Sequence, residues 1–409
     1  MKTISTEKIP IKLWLEDIED GALEQAKNLA NLPFAFKHIA IMPDSHQGYG
    51  MPIGGILVTK DVVIPNAVGV DIGCGMCAVK TSLTDIDTDT LKKIMGEIRR
   101  VIPVGFKKHK KEQNGSLMPS GLLDGSRRKG KSCLIENDFE IVNKEYNNAL
   151  KSLGTLGGGN HFCEIQKGSD GHIWIMIHSG SRNLGKQVAD HYNKLAVELN
   201  EKWYSQVSKK WELAFLPLSS EEGKNYIREM NYCVEFALAN RKLMMSRVLD
   251  IFHDEFNFQE EGDRHLYFKV DGKIINIAHN YATMENHFGE NVMVHRKGAT
   301  LASEKTIGII PGSQGTSSYI VKGKGNKDSF NSCSHGAGRK MGRKEAQRSL
   351  NLKDEIKALN KLRVIHSVRN KNDLDEAPGS YKDISEVMNN QKDLVEVLVE
   401  LKPLAVIKG

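Results

Sequence analysis

Short glycine-rich loops, set between runs of apolar residues, constrain this chain more than any other feature of its sequence. Thirty-seven of its 409 residues are glycine, and they gather in loops such as GTLGGGN (154–160), PGSQGTSS (311–318) and SHGAGR (334–339). Such loops expose backbone N–H groups with little side-chain obstruction and commonly cradle phosphate groups. No loop matches the P-loop pattern, and GTLGGGN lacks the spacing of a dinucleotide-binding fingerprint. We therefore expect short strands joined by loops that approach a phosphorylated ligand closely.

The composition excludes several classes of protein. Apolar residues make up 40% of the chain, which is enough for a sizeable core and excludes a disordered protein. We expect no transmembrane helix and no signal peptide, because the apolar runs are short and the N-terminal residues mix charges among them. Six cysteines are too few for a disulfide scaffold, so a cytoplasmic protein with free or metal-bound thiols is expected. The 57 basic and 51 acidic residues give a net charge of +6, which permits a polyanionic partner.

Apolar periodicity, interrupted by glycine and proline, predicts both helices and strands. The predicted helices cover about residues 16–31, 85–100, 222–252 and 383–400, with one more after Ser181 and a basic one within 334–350. The predicted strands lie within 38–81, 154–165, 172–182, 273–282 and 292–321. Because the two types alternate irregularly, we expect one large α/β (α+β) domain over residues 1–409. Its mixed sheets would be flanked by helices rather than doubly wound.

Several histidines lie where reactive side chains are usually carried. His161, His178 and His279 each lie at the end of a predicted strand beside glycine, serine or asparagine, and His335 lies in a glycine loop. Strand ends and loops on a rigid frame commonly hold functional residues. Any one of these histidines alone is more often a hydrogen-bonded core or surface residue. Four in similar surroundings favour a shared site.

Asp71 and Cys74 lie three residues apart in a glycine-rich loop, VDIGCGMC. A carboxylate, a thiolate and several imidazoles form a mixed oxygen, nitrogen and sulfur site that suits manganese, cobalt or zinc. Cys74 and Cys77 also form a C-x-x-C pair, but a zinc ribbon needs a second pair and a thioredoxin-like context is missing. We therefore expect Cys77 to be a small packed residue.

Nine segments together resemble the RtcB family of RNA-splicing ligases. They are MPDSHQGYGMPIGG, VDIGCGM, LGGGNHF, IHSGSRNLG, HNYATMENHFGE, HRKGAT, PGSQGT, SHGAGR and the terminal VIKG, and they run from about residue 38 to 409 in the family's order. The resemblance implies an RtcB-type domain around a dinuclear metal site. It also implies a GTP- and manganese-dependent ligase, which joins an RNA 3′-phosphate or 2′,3′-cyclic phosphate end to a 5′-hydroxyl end.

The resemblance assigns roles to individual residues. His335 would be the nucleophile that takes GMP. The ligands of two Mn²⁺ ions, for which Zn²⁺ or Co²⁺ can substitute, would be Asp71, Cys74, His161, His178 and His279. The guanine nucleotide would contact Asn160, Glu164, Ser313, Ser318, Gly336, Ala337, Gly338, Tyr381 and Lys408. Arg182 and Lys297 would bind RNA phosphate, and Asp44 and His46 would lie near the RNA ends. An archease-like activator is a further partner that the family resemblance suggests.

Two alternatives use the same residues differently. A metal-dependent phosphodiesterase would need the metal ligands but would leave SHGAGR, Glu164 and Lys408 without a role. A non-catalytic RNA-binding subunit would need only a structural metal, which tends to have four ligands in a closed site.

Three features depart from the family pattern. Gln314 stands where PGSMG has methionine, and Cys77 adds a thiol. The basic stretch 99–131 matches least well and is expected to be an insert or lid. Its charge pattern favours RNA selection and a solvated loop equally.

Overall fold

A computed structural model describes residues 1–119, 139–257 and 268–409 of the chain. Within these residues nine α-helices alternate irregularly with strands. The helices are α1 (Asp20–Ala30), α2 (Pro65–Val68), α3 (Thr88–Val101), α4 (Glu140–Ser152), α5 (Leu184–Lys202), α6 (Glu221–Asn257), α7 (Arg343–Ser349), α8 (Leu352–Lys361) and α9 (Ile384–Asn389). The helices predicted near 16–31, 85–100 and 222–252 correspond to α1, α3 and α6. Asp87 explains the start of α3, because its carboxylate accepts hydrogen bonds from the N–H groups of Asp89 and Thr90 at 3.0 and 2.9 Å.

The same described residues contain 17 strands. They are β1 (Lys2–Ile4), β2 (Ile11–Leu13), β3 (Ile39–His46), β4 (Ile53–Thr59), β5 (Val62–Val63), β6 (Gly75–Thr81), β7 (Phe162–Gly168), β8 (Ile173–Ser179), β9 (Leu216–Pro217), β10 (Val270–Ala278), β11 (Asn280–His287), β12 (Glu290–Lys297), β13 (Ala299–Leu301), β14 (Ile307–Ile310), β15 (Ser318–Gly323), β16 (Ser332–Ser334) and β17 (Val395–Lys408).

Two larger sheets organise these strands. The six-stranded sheet has the order β1-β2-β3-β4-β12-β11, and the seven-stranded sheet has the order β10-β6-β8-β7-β17-β15-β14. Strands β2 and β3 pair in parallel, whereas the pairs of the seven-stranded sheet are antiparallel. The expected mixed α/β fold is therefore confirmed.

Helix α6 packs along the seven-stranded sheet and against α3 and α5. Its methionines Met230, Met244 and Met245 are fully buried, as expected for core packing rather than a cofactor site. No helix of the described part of the chain is both long and apolar enough to cross a membrane.

The predicted helix over 383–400 is wrong beyond its first turns. α9 ends at Asn389, and residues Val395–Lys408 form β17, a central strand of the seven-stranded sheet. Valine recurs at 395, 397 and 399, and β-branched side chains at alternate positions favour a strand. Of the basic stretch 99–131, residues 99–119 are described and residues 120–131 lie outside the described residues.

Candidate active site

Four neighbouring strands of the seven-stranded sheet bring the predicted metal ligands to one edge. Because neighbouring strands run antiparallel, β6 and β7 begin at this edge while β8 and β10 end there. Cys74 precedes β6, His161 precedes β7, His178 is the penultimate residue of β8, and His279 follows β10. Strand β17 also ends at this edge, where Lys408 pairs with the first residue of β7.

The side chains at this edge form a compact cluster. Sγ of Cys74 lies 3.4 Å from Nε2 of His161 and 3.3 Å from Nε2 of His178. Nε2 of His161 lies 3.2 Å from Oδ2 of Asp71. The potential ligand atoms form two groups that share Cys74, one with Asp71 and His161 and the other with His178 and His279. Within each group the atoms lie no more than 4.8 Å apart.

Backbone carbonyls hold two of these imidazoles in a defined tautomer. Nδ1 of His161 donates to the carbonyl of Leu156, and Nδ1 of His178 donates to the carbonyl of Asn160, both at 3.0 Å. A neutral ring that donates through Nδ1 presents an unprotonated Nε2, here toward Cys74. Such backbone hydrogen bonds typically orient histidines that bind metal through the other nitrogen.

The donor atoms of the cluster fit a bound cation. Nδ1 of His279 is buried without a hydrogen-bond partner in the described chain. Imidazole lone pairs and a carboxylate oxygen surround Sγ of Cys74. All of these atoms are acceptors, and the thiol of Cys74 can donate only one proton to them. Burial raises the pKa of the Cys74 thiol well above its usual range, so the thiolate needs a positive charge beside it. The set of donors suits a divalent transition metal.

His335 lies beside this cluster and is held by Asp44. The ring centroids of His335 and His279 are 4.8 Å apart. Oδ2 of Asp44 accepts hydrogen bonds from Nδ1 of His335 at 2.6 Å and from the backbone N–H groups of His335 and Gly336 at 3.0 and 3.3 Å. A carboxylate oxygen can only accept a hydrogen bond, so Nδ1 is the donor, and Nε2 carries the lone pair whenever the ring is neutral. Asp44 belongs to β3, so the six-stranded sheet positions the histidine while the seven-stranded sheet carries the cluster.

Asp44 and His46 were both predicted to lie near RNA ends, and the structure separates them. The side chain of Asp44 is fully buried and faces His335, whereas His46 lines the cavity described below. Burial raises the pKa of the Asp44 carboxyl, but the charge and hydrogen bonds of His335 outweigh burial and lower it. Gly338 closes over this pair at φ +73°, and a Cβ there would lie 2.1 Å from the carbonyl oxygen of Asp44.

A cavity of about 290 Å³ joins the cluster to His335. Eight of the residues predicted to contact GTP line it, namely Asn160, Glu164, Ser313, Gly336, Ala337, Gly338, Tyr381 and Lys408. Ser318 is the exception, since its hydroxyl is engaged by Nε2 of Gln166 at 3.1 Å and by the N–H of Gly312 at 3.0 Å. Ser318 therefore supports the loop that begins at Pro311 rather than the cavity surface.

Glu376 links several cavity residues and was missed by the sequence analysis. Its carboxylate accepts hydrogen bonds from Lys408 Nζ at 2.6 Å, from Arg343 Nη1 at 2.8 Å, and from the hydroxyl of Tyr381. Burial raises the pKa of Glu376, but Lys408 and Arg343 outweigh burial and hold the pKa at about 2. Glu376 belongs to no recognisable sequence motif. Lys408 and Arg343 lie more than 30 residues away along the chain, and Tyr381, which is close in sequence, does not by itself indicate a site.

Glu164 is a buried carboxyl with an unused acceptor. Oε1 has no hydrogen-bond partner in the described chain, and the residue is 3% exposed. Burial raises the pKa of Glu164 to about 8, although Lys408 opposes the rise. An unpartnered buried carboxyl in a cavity wall is suited to a ligand that donates hydrogen bonds.

The two predicted phosphate-binding cations occupy different surroundings. Lys297 is 3% exposed and its Nζ donates to the carbonyls of Tyr49 and Asn66 at 2.5 and 2.9 Å, so its ammonium faces the backbone rather than the cavity. Burial lowers the pKa of Lys297 to about 7. Arg182 is partly buried and donates to Thr155 Oγ1 and to the carbonyl of Gly105, both at 3.2 Å.

Two of the three departures from the family pattern, Gln314 and Cys77, have a structural role. Gln314 donates through Nε2 to the carbonyl of Glu376 and accepts from the N–H of Ser367, both at 3.0 Å. Its side chain therefore ties the glycine loop to the segment that carries Glu376. Cys77 is fully buried among apolar residues of the sheet and α3, which confirms that it is a packed residue.

An imidazole whose Nδ1 is held by a buried carboxylate, beside potential metal ligands and in a cavity lined by glycine loops, suits group transfer at phosphorus. Comparison with known proteins identifies the family of the chain. Residues 25–409 match the family model described as tRNA-splicing ligase RtcB. The chain therefore belongs to the RtcB family.

Relatives in bacteria, archaea and eukaryotes align with nearly the whole chain. The RNA-splicing ligase RtcB of Escherichia coli strain K12 is 37% identical, with 99% of each protein covered. The tRNA-splicing ligase RtcB of Thermococcus kodakarensis is 31% identical over 96% of this chain and 92% of its own length. The RNA-splicing ligase RtcB homolog 1 of Entamoeba dispar is 33% identical over 97% of this chain and 84% of its own length.

Proposed function

We propose that this protein is a GTP- and manganese-dependent RNA ligase that acts as one catalytic domain. It joins an RNA 3′-phosphate or 2′,3′-cyclic phosphate end to a 5′-hydroxyl end through a covalent His335–GMP intermediate. The observation that carries the proposal is the position of His335. Its ring lies 4.8 Å, centroid to centroid, from the ring of the candidate ligand His279, and its Nδ1 is bound by a buried carboxylate.

Two Mn²⁺ ions, or Zn²⁺ or Co²⁺ in their place, would be held by Asp71, Cys74, His161, His178 and His279. When bound, they would neutralise charge on phosphate oxygens, which is the usual contribution of a metal to phosphoryl transfer. The shared position of Cys74 in both groups of ligand atoms supports two ions rather than one.

The first step is attack of His335 Nε2 on the α-phosphorus of GTP. A nitrogen–phosphorus bond forms, the bond to the β-phosphate oxygen breaks, and pyrophosphate leaves. The ring becomes positively charged while its Nδ1 proton stays in the hydrogen bond to Asp44. The Asp44 carboxylate therefore orients the ring and stabilises the charge that develops on it.

The second and third steps transfer GMP and release it. An oxygen of the RNA 3′-phosphate attacks the phosphorus of GMP, and the bond to His335 breaks. A 5′-hydroxyl then attacks the activated RNA phosphate and loses its proton to solvent, and GMP leaves as the phosphodiester forms. A cyclic phosphate is first hydrolysed to a 3′-phosphate. Glu164, with its unpartnered oxygen, would accept hydrogen bonds from the N1–H and amino group of guanine.

The test is incubation of the protein with α-labelled GTP and Mn²⁺, followed by a denaturing gel. We expect an acid-labile label with GTP, little with ATP, and none in His335→Ala, with His253→Ala as a control at an exposed position. A His335→Ala protein that folds, binds metal and still takes up label would contradict the role of His335. Opening of a cyclic phosphate without any need for GTP would instead favour the phosphodiesterase.

The proposal also includes a cytoplasmic location and two partners. The five described cysteines are free and buried, which is consistent with a reducing cytoplasm. RNA is the proposed partner, and an archease-like activator stays a prediction of the family resemblance.

A further inference from the structure

The segment Gly105–Lys111 is anchored next to the candidate active site. The N–H of Gly105 donates to the carbonyl of Gly157 at 2.8 Å, and the carbonyl of Gly105 accepts from Nη2 of Arg182 at 3.2 Å. A Cβ on Gly157 would lie 2.5 Å from Nδ1 of His161. The backbone at Gly105 is therefore separated from a candidate metal ligand by a single layer of residues.

The other end of the segment is also held. The backbone N–H of His109 donates to the carbonyl of Lys151 at 2.9 Å, and Nη1 of Arg247 lies 2.9 Å from Nε2 of His109. Arg247 also donates to the carbonyl of Gly154, in the glycine loop that leads to His161. The segment thus has a fixed place beside the cavity at both of its ends.

Between these anchors the segment displays an aromatic ring and four positive charges. Phe106 is fully exposed, since Gly105 turns the backbone through a φ of +65° directly before it. The side chains of Lys107, Lys108, Lys110 and Lys111 are exposed, and none forms a salt bridge with the described part of the chain. Against these four lysines stands one acid, Glu112, so the local charge is +3.

This combination matches one kind of occupant better than others. Surfaces that bind single-stranded nucleic acid pair an aromatic platform, on which a base stacks, with cations that contact successive phosphates. An exposed phenylalanine gains nothing from contact with water, whereas covering such a ring with a flat apolar surface, such as the face of a base, is favourable. An apolar protein partner is disfavoured, because binding it would remove the charged lysines from water. A partner bound by charge alone would gain little from the exposed ring of Phe106.

We propose that Gly105–Lys111 is a binding surface for single-stranded RNA adjacent to the end that enters the cavity. Phe106 stacks on a base, and Lys107, Lys108, Lys110 and Lys111 contact the flanking phosphates. The proposal rests on the proposed RNA ligase function, because it assigns the path of that enzyme's substrate outside the cavity. It also gives part of the basic stretch a role in RNA selection.

The test compares Phe106→Ala, Phe106→Trp and a variant with the four lysines changed to alanine. Binding of a single-stranded RNA with a 3′-phosphate is measured by fluorescence anisotropy over a range of salt concentrations. We expect Phe106→Ala to weaken binding about tenfold and Phe106→Trp to retain it. Loss of the lysines should reduce the slope of log affinity against log salt by about 0.7 for each phosphate contact removed.

The matched control is Tyr204→Ala combined with Lys202→Ala and Lys210→Ala. Tyr204 is 92% exposed. It lies just beyond the C-terminal end of α5, whereas Arg182 lies just before its N-terminal end. A helix of 19 residues is roughly 28 Å long at 1.5 Å per residue, so Tyr204 is far from the proposed surface. We expect this variant to bind RNA as the wild type does. Equal affinity and salt slope in the wild type and all Phe106 and lysine variants would overturn the proposal, as would an equal loss in the control.

Labelling by GTP, which involves no RNA, is measured on the same proteins. Label in the wild type together with unchanged RNA binding in the variants would reject this surface alone. Absence of label in the metal-loaded wild type would count against the ligase function instead. Weaker binding in Phe106→Ala and equally weak binding in Phe106→Trp would reject base stacking and leave a purely electrostatic surface.

Discussion

Nδ1 of His335 lies 2.6 Å from Oδ2 of Asp44, and that carboxylate is fully buried. An asparagine at this position can still accept the hydrogen bond, but it lacks the charge that stabilises a positively charged ring. We therefore predict that Asp44→Asn lowers the rate of labelling by GTP by about 100-fold or more. Single-turnover labelling measures this rate, and thermal unfolding checks that the variant is folded.

Ser45→Ala is the control for this prediction. Ser45 is the next residue, is 1% exposed, and has a hydroxyl without a hydrogen-bond partner in the described chain. We expect near-wild-type labelling from it. An Asp44→Asn protein that labels at the wild-type rate would remove Asp44 from the mechanism.

Removal of the charge of Glu376 should destabilise the cavity wall. Glu376→Gln leaves Lys408, Arg343 and Arg339 close together without the carboxylate that they share. We predict a loss of about 3 kcal/mol in the free energy of unfolding and weaker use of GTP. Asp375→Asn is the control, because its only described side-chain ion pair is with the half-exposed Arg343, and it should cost less than about 1 kcal/mol. Denaturant unfolding compares the two variants, and equal losses would contradict the central role of Glu376.

The stability of the protein should also depend on pH through Glu376. Its pKa is lowered from its usual value to about 2 in the folded chain, so folding favours the ionised form. The resulting stabilisation is complete above the unfolded pKa and is lost as the pH falls toward 2, by on the order of 3 kcal/mol. We predict that the free energy of unfolding falls more steeply below pH 5 in the wild type than in Glu376→Gln. Parallel curves would show that other carboxyl groups carry the acid sensitivity.

Binding of GMP should release a proton from Glu164. Burial raises the pKa of this carboxyl to about 8, so it is mainly neutral at pH 7, whereas the proposed guanine contact requires the carboxylate. We predict proton release of up to about one per GMP at pH 7, and affinity that rises with pH toward 8. Calorimetry in buffers of different ionisation enthalpy measures the release. Glu164→Gln should lack it, and release that persists in this variant would place the proton elsewhere.

Cys74 and Cys77 lie three residues apart, but their substitution should have different effects on metal binding. Cys74→Ser removes the sulfur shared by both groups of potential ligands, so we predict that affinity for Mn²⁺ or Zn²⁺ falls by roughly tenfold or more. Cys77→Ala should leave the metal content unchanged and cost about 1 kcal/mol of stability, because Cys77 is packed in the core. Metal analysis after dialysis separates the two. Equal metal loss in both would place Cys77 in the site.

The local signals of the sequence were sufficient to predict that the candidate metal ligands lie together. Histidines at strand ends beside glycines meet when antiparallel strands alternate direction, so local patterns were enough to propose His161, His178 and His279 together. The contacts of Asp44 and Glu376 could be identified only from the structure. Their partners lie in distant segments, and only tertiary packing decides that one carboxylate faces a histidine while the other gathers three cations.

Strand β17 shows where the local pattern misled. Its apolar residues satisfied a helical spacing over 383–400, yet pairing with β7 on one side and β15 on the other stabilises an extended chain. Such pairing is not visible in one segment alone. It is also what delivers Lys408 to the cavity.

His279 is the one residue between β10 and β11, which belong to different sheets. His279 therefore lies at the point where the chain passes from one sheet to the other. Any sliding of one sheet against the other moves this ring relative to both Cys74, on the seven-stranded side, and His335, whose carboxylate partner is on the six-stranded side. We therefore expect the distances from His279 to Cys74 and to His335 to depend on how the two sheets are aligned.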